Sequence, residues 1–142
     1  MTMNKIRSLE EIQKGQEVPT MRQQIDTLMM VKYCGASDDY APVHWNHPMM
    51  VDQGFPGVVV QGWLTFAYMT QAVTNWIPLE VADVAKYAVR YRKPSFPGAM
   101  TVGGVVLDRR KEDGKKLVDL ELWAKDADGA VTTTATMTLV SA

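Results

Sequence analysis

The longest apolar stretch of the chain, from Gly57 to Ile77, limits the possible folds more than any other feature. Its apolar residues recur in steps of three and four, which predicts a helix, and they occupy nearly its whole circumference. Polar residues interrupt it too often for a lipid-facing span of about 20 apolar residues: Gln61, Thr65, Thr70, Gln71, Thr74 and Asn75. We therefore predict a buried central helix that ends at Pro78, and no membrane association.

After Pro78 the helical repeat gives way to alternation of apolar and polar residues, which indicates strands. The pairs Asp113-Gly114 and Asp128-Gly129 are typical of hairpin turns. An antiparallel meander with one apolar face needs a cover, and the helix is the only long apolar element available. The sequence thus predicts an α+β fold, a curved antiparallel sheet around one central helix, with strands over 85–91, 101–109, 116–125 and 131–140.

Composition narrows the class of protein. A length of 142 residues, 46% of them hydrophobic and 22% charged, is typical of one globular domain, expected over residues 1–142. A net charge of −1 gives no long-range attraction to nucleic acid or anionic membranes, so neither is an expected partner. The single cysteine, Cys34, cannot form an internal disulfide, which favours a reducing compartment and, by default, the cytoplasm.

The segment before the central helix is less regular. We expect short helices over Ser8–Lys14 and Ile25–Tyr33, followed by an irregular stretch, Cys34–Phe55, rich in Gly, Pro, Asp and His. A structured loop of about twenty residues inside a compact domain is uncommon and usually functional. Both histidines of the chain, His44 and His47, lie in this loop. Groups able to transfer protons are therefore concentrated here.

Within the loop, Asp39 stands five residues before His44, and Pro42 restricts the turn between them. Held around one water, a carboxylate and an imidazole can accept and return a proton near neutral pH, because histidine has an unperturbed pKa of about 6.5. The alternative is structural: Asp39 caps a turn and His44 is a histidine with satisfied hydrogen bonds. Spacing alone leaves both interpretations open.

Gly62 is a second candidate. If the central helix begins near Gln61 and Gly62, its first N–H groups have no intrahelical partner and point toward the preceding loop. Such amides stabilise a developing oxyanion by about 3 kcal/mol per donor. The alternative for Gly62 is close packing against a neighbouring element.

These motifs together resemble a known family. The stretch YCGASDDYAPVHW (33–45), followed by Gly57 and GWLT (62–65), is similar to MaoC-like (R)-specific enoyl-CoA hydratases and (3R)-hydroxyacyl-ACP dehydratases. The likeness extends to SLEEIQKG (8–15) before it and to VRYRKP (89–94) and FPG (96–98) after it, nearly the whole chain in order. The resemblance implies a hot-dog fold, acyl thioesters of CoA or acyl-carrier protein as substrates, no cofactor, and a homodimer or paired hot-dog subunits.

Position by position, Asp39 and His44 match the family's catalytic pair, and Gly62 matches its oxyanion amide. The implied reaction is reversible hydration of trans-2-enoyl thioesters to (3R)-hydroxyacyl thioesters. The chain departs from the family pattern, in which Gly, Asn, Asp and His are usual at the positions of Asp38, Ala41, Asn46 and Gln61. The alternatives are a non-catalytic or half-active subunit of a heteromeric hydratase, and an acyl-CoA thioesterase.

Further candidates for substrate binding flank these motifs. Gln61 is next to the oxyanion amide, and three basic residues lie at the end of a predicted strand: Arg90, Arg92 and Lys93. The basic side chains either bind the phosphates of CoA or phosphopantetheine or form a solvated face. The methionines suit a pliable acyl tunnel, although methionine is also a common core filler.

A metal site and a cysteine nucleophile are the remaining interpretations of the loop. His44 and His47 form an H-x2-H pair, but Pro42 and Pro48 oppose a regular helix through both, and no third ligand stands at a recognisable spacing. Cys34 lies at the end of a predicted helix, away from an activating N-terminus. We expect no metal, a buried structural Cys34, and His47 in a loop or at a helix start.

Overall fold

A computed structural model describes residues 5–142, so the first four residues of the predicted domain lie outside the described residues. One antiparallel sheet contains β1 (Glu17–Ile25), β2 (Ala82–Tyr91), β3 (Gly98–Glu112), β4 (Lys115–Lys125) and β5 (Val131–Ser141). The strand order is β1-β3-β4-β5-β2, which leaves β1 and β2 at the edges. The α-helices are α1 (Thr27–Ser37), α2 (His47–Asp52) and α3 (Gly62–Trp76).

The helix α3 is the predicted central helix, and it packs against β1, β3 and β4. Its buried residues form part of the core: Leu64, Thr65, Phe66, Met69, Ala72, Val73 and Trp76. The predicted fold, an antiparallel sheet around one long helix, is confirmed. The helix itself is not completely buried, because the Trp63 side chain in its first turn is 53% exposed. Between residues 5 and 142, no helix is long and apolar enough to cross a membrane.

The inner face of the sheet follows the predicted alternation. It buries residues of β4 and β5 in the core: Val118, Leu120, Leu122, Ala124, Ala135, Met137 and Leu139. Both predicted hairpins are present, joining β3 to β4 and β4 to β5. At the first, Asp113 and Gly114 have φ angles of 49° and 79°, the left-handed conformation that a tight two-residue hairpin requires.

The strand β1 is absent from the sequence prediction, which placed no strand before the central helix. Its sequence, EVPTMRQQI, contains Pro19, which cannot donate a ladder hydrogen bond. In the structure Pro19 lies where the register with β3 shifts, between Val18 and Met21, on an edge strand. An edge position with an irregular register is where a strand tolerates proline, so this strand depends on its pairing with β3.

The alternation predicted over residues 85–91 does not hold at the start of β2. Strict alternation would put Ala85 on the face of Tyr87, Val89 and Tyr91, but the pairing with β5 skips Ala85. The register with β5 slips between Val84 and Lys86, so the chain holds one unpaired residue there. Such a bulge reverses the alternation, and Val84 packs against the core instead.

The segment predicted as irregular contains short helices. The helix α1 continues to Ser37, a 3₁₀ helix covers Pro42–His44, and α2 begins at His47, as one of the predictions for this residue stated. Asn46 caps α2 by accepting a hydrogen bond from the Met49 N–H at 3.2 Å. Near the N-terminus, the expected helix reduces to one 3₁₀ turn, Leu9–Glu11.

The core on β4 gives a first prediction. Leu120 is fully buried against α3, whereas Leu107 on β3 is 39% exposed. We expect Leu120→Ala to lower the free energy of unfolding by about 2–5 kcal/mol, because it removes buried methyl groups and leaves a cavity. Leu107→Ala is the matched control and should change it by less than about 1 kcal/mol. Urea unfolding followed by circular dichroism checks both; equal losses would contradict this description of the core.

Candidate active site

Asp39 is held by the backbone just after α1. The helix ends at Ser37, and the left-handed conformation of its cap residue Asp38 (φ 55°) turns the chain. One carboxylate oxygen of Asp39, Oδ1, accepts a hydrogen bond from the Ala41 N–H at 3.3 Å. This is the turn-capping role that the structural interpretation assigned to Asp39. It uses only one oxygen, and Oδ2 faces the imidazole of His44.

His44 lies at the end of the 3₁₀ helix, and the backbone fixes its ring. Its Nδ1 is 2.6 Å from the carbonyl oxygen of Val59. Since a carbonyl can only accept, we assign the proton of the neutral ring to Nδ1, which leaves a lone pair on Nε2. That Nε2 is 3.5 Å from Asp39 Oδ2, and the His44 side chain is only 13% exposed.

This geometry suits a bound water. At 3.5 Å, Nε2 of His44 and Oδ2 of Asp39 are too far apart for a good direct hydrogen bond. With His44 neutral and Asp39 ionised, both atoms are acceptors. A water that donates one hydrogen to each satisfies both, and two acceptors on one water can remove its proton. The pair can therefore activate water.

The N-terminus of α3 supplies free amides. Its cap residue, Gln61, makes no side-chain capping hydrogen bond, and the first bond of the helix runs from Thr65 N–H to the Gln61 carbonyl at 3.1 Å. The N–H groups of residues 62–64 therefore have no partner within the helix. They carry the positive end of the helix dipole, so Gly62 N–H can stabilise a negatively charged oxygen.

One cavity of about 480 Å³ contains both His44 and the start of α3. Its volume is in the range of small-molecule sites. The wall consists of His44, Val59, Val60, Gly62, Trp63, Thr65, Tyr91, Arg92, Lys93, Pro94, Ser95 and Thr133. Asp39 is not part of this wall and reaches the site through His44. The candidate catalytic groups thus meet at one cavity.

Several wall residues were not assigned to the site from the sequence, namely Trp63, Thr65, Tyr91 and Thr133. Thr133 carries a signal, because it is a polar residue on the apolar side of β5, and it is buried. Tyr91 lies in the family-like stretch VRYRKP but nothing in its pattern separates it from the neighbouring Tyr87. Only the folded chain brings Tyr91 to the start of α3.

Gln61 points into the core. Its side chain is 1% exposed, and its Nε2 donates to the Met30 carbonyl at 2.9 Å and to Cys34 Sγ at 3.2 Å. Its amide oxygen has no partner among residues 5–142. These contacts tie the start of α3 to α1. Substrate binding by Gln61 stays a prediction, and Cys34 is buried as expected.

The three basic candidates have different surroundings. Arg92 and Lys93 line the cavity, whereas Arg90 lines a separate groove with residues of β4 and β5. Lys93 forms a 2.7 Å ion pair with Asp126, and this hydrogen bond holds the pKa of Asp126 below its usual value. Arg92 donates to the Thr134 hydroxyl at 3.2 Å. Arg92 and Lys93 therefore differ in charge pairing. Lys93 is paired with Asp126, whereas no carboxylate among residues 5–142 forms an ion pair with Arg92.

The described residues, 5–142, contain no group of three or more His, Cys, Asp or Glu side chains placed to hold a metal ion. His44 and His47 use their rings differently. His44 bonds to the Val59 carbonyl, while the His47 ring packs against Gly57, where a Cβ would be 3.0 Å from it.

Comparison with known proteins gives the family. The MaoC like domain model matches residues 10–127. The chain belongs to the MaoC-like family. A search of curated protein sequences finds no match. The family assignment therefore comes from the domain model.

Solved structures of other proteins share the fold at low identity. The R-hydratase PhaJ1 from Pseudomonas aeruginosa has a TM-score of 0.83 and 17% identity, over 93% of this chain and 83% of its own. The (R)-hydratase from A. caviae involved in PHA biosynthesis has 0.82 and 16%, over 92% and 97%. The ChsH1-ChsH2 complex from Mycobacterium tuberculosis matches at 0.77 and 23%, over 91% and 98%. These similarities confirm the hot-dog fold.

The His44 ring gives the second prediction. Because the Val59 carbonyl accepts from Nδ1, the neutral ring should be almost entirely the Nδ1-H tautomer. Nitrogen-15 chemical shifts of the two ring nitrogens at pH 8 report this directly. His47, which is exposed, is the internal reference and should show a mixture of tautomers. An Nε2-H ring at His44 would contradict the assignment of its base nitrogen.

Proposed function

We propose that this MaoC-like protein catalyses the reversible addition of water to trans-2-enoyl thioesters, which yields (3R)-3-hydroxyacyl thioesters. The observation that carries the proposal is the position of His44. Its Nε2 lies 3.5 Å from the Asp39 carboxylate, and its ring shares a cavity with the free amide of Gly62. Hydration needs a group that activates water and a hydrogen-bond donor that stabilises the oxyanion, and both are candidates at this cavity. We take the R configuration from the R-hydratases that share the fold.

In the proposed reaction, a water binds between Asp39 Oδ2 and His44 Nε2. As its oxygen attacks Cβ of the enoyl group, the pair accepts one of its protons. The carbon–carbon double bond becomes single, and its electrons move toward the thioester oxygen. The pair then returns the proton to Cα, so one water is added across the double bond.

The thioester oxygen carries the negative charge between these two steps. We assign its stabilisation to the Gly62 N–H at the start of α3. The amide is fixed in the helix before substrate arrives, so it needs no reorganisation, and one such donor contributes about 3 kcal/mol. The thioester itself acidifies Cα, and the proposed chemistry uses only this chain's residues and water.

The carrier of the acyl group is CoA or an acyl-carrier protein, and both present a phosphate-bearing pantetheine arm. We assign its recognition first to Arg92, because Arg92 lines the cavity and has no carboxylate partner among residues 5–142. Lys93 lines the same cavity but is already paired with Asp126. Arg90 and Gln61 rank lower, since neither lines the cavity.

The function predicts a specific pattern in four variants. Asp39→Asn and His44→Gln should each lower kcat/KM with crotonyl-CoA by about 100-fold or more, because each removes a proton acceptor. Asp38→Asn and His47→Gln are the matched controls, the adjacent carboxylate and the other histidine. Asn suits the left-handed conformation at position 38. The decrease in conjugated enoyl absorbance gives the rates, and equal rates in all four variants would refute the assignment.

Two further measurements separate the alternatives. A thioesterase would release free thiol from acyl-CoA, which a thiol reagent detects, and a hydratase would not. A non-catalytic subunit would be inactive alone and would gain activity when co-expressed with a second hot-dog protein. In that case, Asp39→Asn and His44→Gln should leave the rescued activity unchanged. Loss of the rescued activity in these variants would return the catalytic role to this chain.

We also propose that two copies associate through β2. This strand is a sheet edge, and its partners lie on one side only, along β5. On this strand and in the first turn of α3 are aromatic side chains that are about half exposed: Tyr87, Tyr91 and Trp63. Trp63 and Tyr87 meet edge to face at 6.4 Å. An unpaired edge beside exposed aromatic residues is typical of a surface that a partner covers.

The assembly prediction uses Tyr87, which is 50% exposed and is not part of the cavity wall. Tyr87→Lys should shift the protein from dimer to monomer, because it places a charge in the apolar interface. Tyr40→Lys, at a tyrosine that is 60% exposed elsewhere, should leave the dimer intact. Sedimentation velocity measures both. A wild-type monomer at micromolar concentration, or a dimer that survives Tyr87→Lys, would refute this interface.

A further inference from the structure

The ring of Tyr91 lies directly against the backbone of Gly62. A Cβ built on Gly62 would be 2.7 Å from Tyr91 Cε1 and Cζ and 3.1 Å from Cε2, so any side chain here would require the ring to shift. Glycine at position 62 leaves this space to Tyr91. The element that packs closely against Gly62 is thus this tyrosine.

Tyr91 reaches this place from the end of β2. It pairs with Thr133 of β5, which is buried, and both residues line the cavity that contains His44. Burial raises the pKa of Tyr91, and the nearby phenols of Tyr33 and Tyr87 raise it further, so its hydroxyl stays protonated at neutral pH. An uncharged aromatic ring, about half exposed, thus lies between the sheet edge and the start of α3.

We propose that Tyr91 is the residue that limits the size of the acyl group at this site, with its ring forming the cavity wall beside the Gly62 amide. The inference rests on the proposed function, because it takes that amide as the ligand of the thioester oxygen. A thioester oxygen bound by the amide would place the acyl carbons next to the ring that contacts Gly62. Bulk on this side of the acyl group would then meet Tyr91, which lines the same cavity.

The contact with Gly62 restricts the wall on the side of α3. The ring cannot move toward α3, because it already touches the helix backbone, and its own backbone is paired with β5. Loss of the ring would enlarge the cavity on the side of the amide without moving His44 or Asp39, which lie on other segments. The expected consequence is a change in selectivity with the catalytic pair intact.

The first test compares Tyr91→Ala with Tyr91→Phe on crotonyl-CoA and trans-2-octenoyl-CoA. Tyr91→Ala should raise the ratio of kcat/KM for the longer substrate to that for the shorter by about tenfold or more, since the space of a few carbon atoms is worth at least that. Tyr91→Phe keeps the ring and should keep the wild-type ratio. The proposal would be overturned if Tyr91→Phe raised this kcat/KM ratio as much as Tyr91→Ala should, or if Tyr91→Ala left the ratio unchanged.

A second test uses the glycine. Gly62→Ala keeps the amide N–H but drives a methyl group into the Tyr91 ring, so it should lower kcat/KM strongly in the wild-type background. In the Tyr91→Ala background the clash is absent, and the same substitution should cost at least tenfold less. An equal loss in both backgrounds would mean that another contact requires glycine. Thermal unfolding of each variant identifies any that fails to fold.

Binding measurements separate failure of this proposal from failure of the proposed function. Saturated butyryl-CoA and octanoyl-CoA cannot react, and calorimetry gives their Kd values. If wild type hydrates no enoyl-CoA, the function is wrong, but a Tyr91→Ala shift in the octanoyl-to-butyryl Kd ratio would still support the wall. If wild type is active and neither the kinetic ratio nor the Kd ratio changes in Tyr91→Ala, the wall is wrong and the function stands.

Discussion

The hydrogen bond between His44 Nδ1 and the Val59 carbonyl is the contact on which the candidate site depends. It joins two segments that the sequence separates by fifteen residues, the 3₁₀ helix and the approach to α3. A second bond, from Val59 N–H to the Val43 carbonyl at 2.9 Å, doubles this link. Together they set the ring orientation and the distance from His44 to the first amides of α3. Without them, no backbone hydrogen bond would fix the position of the imidazole relative to the start of α3.

The start of α3 combines two requirements in one residue. Gly62 is the first residue of the helix, so its N–H has no partner within the helix, and it leaves its side-chain space to Tyr91. Gln61 anchors the same point to α1 through the Met30 carbonyl. The helix N-terminus is thus fixed from the core side by an amide and from the sheet side by a ring. An oxyanion donor gains from such rigidity, because its position precedes the charge that it stabilises.

The sequence predicted those parts of the fold that depend on local patterns. The apolar stretch gave α3, alternation gave most of the sheet, and Asp113-Gly114 gave its hairpin. It missed β1, because the alternation around Pro19 is weak and the strand depends on its partner β3. It misplaced Ala85, since one extra residue at a bulge reverses a face without changing the composition. Both failures arise from long-range pairing.

The candidate site divides in the same way. Asp39, His44 and Gly62 were found because they lie in motifs, and the structure brings His44 and Gly62 to one cavity with Asp39 beside His44. Tyr91 was missed because its role depends on a contact between β2 and α3. Gln61 was predicted from its neighbour in sequence, yet its side chain turns into the core. A neighbouring position in the sequence therefore did not determine whether a side chain faces the cavity or the core.

The central claim is that water held by Asp39 and His44 adds to an enoyl thioester. Oxygen-18 labelling tests it most directly: crotonyl-CoA is incubated in labelled water with wild type and with His44→Gln, and the products are separated by mass spectrometry. The account predicts one labelled oxygen at C3 of an intact (3R)-hydroxybutyryl-CoA with wild type, and only the uncatalysed background with the variant. Label in a free carboxylate, or equal label at C3 with both proteins, would contradict it.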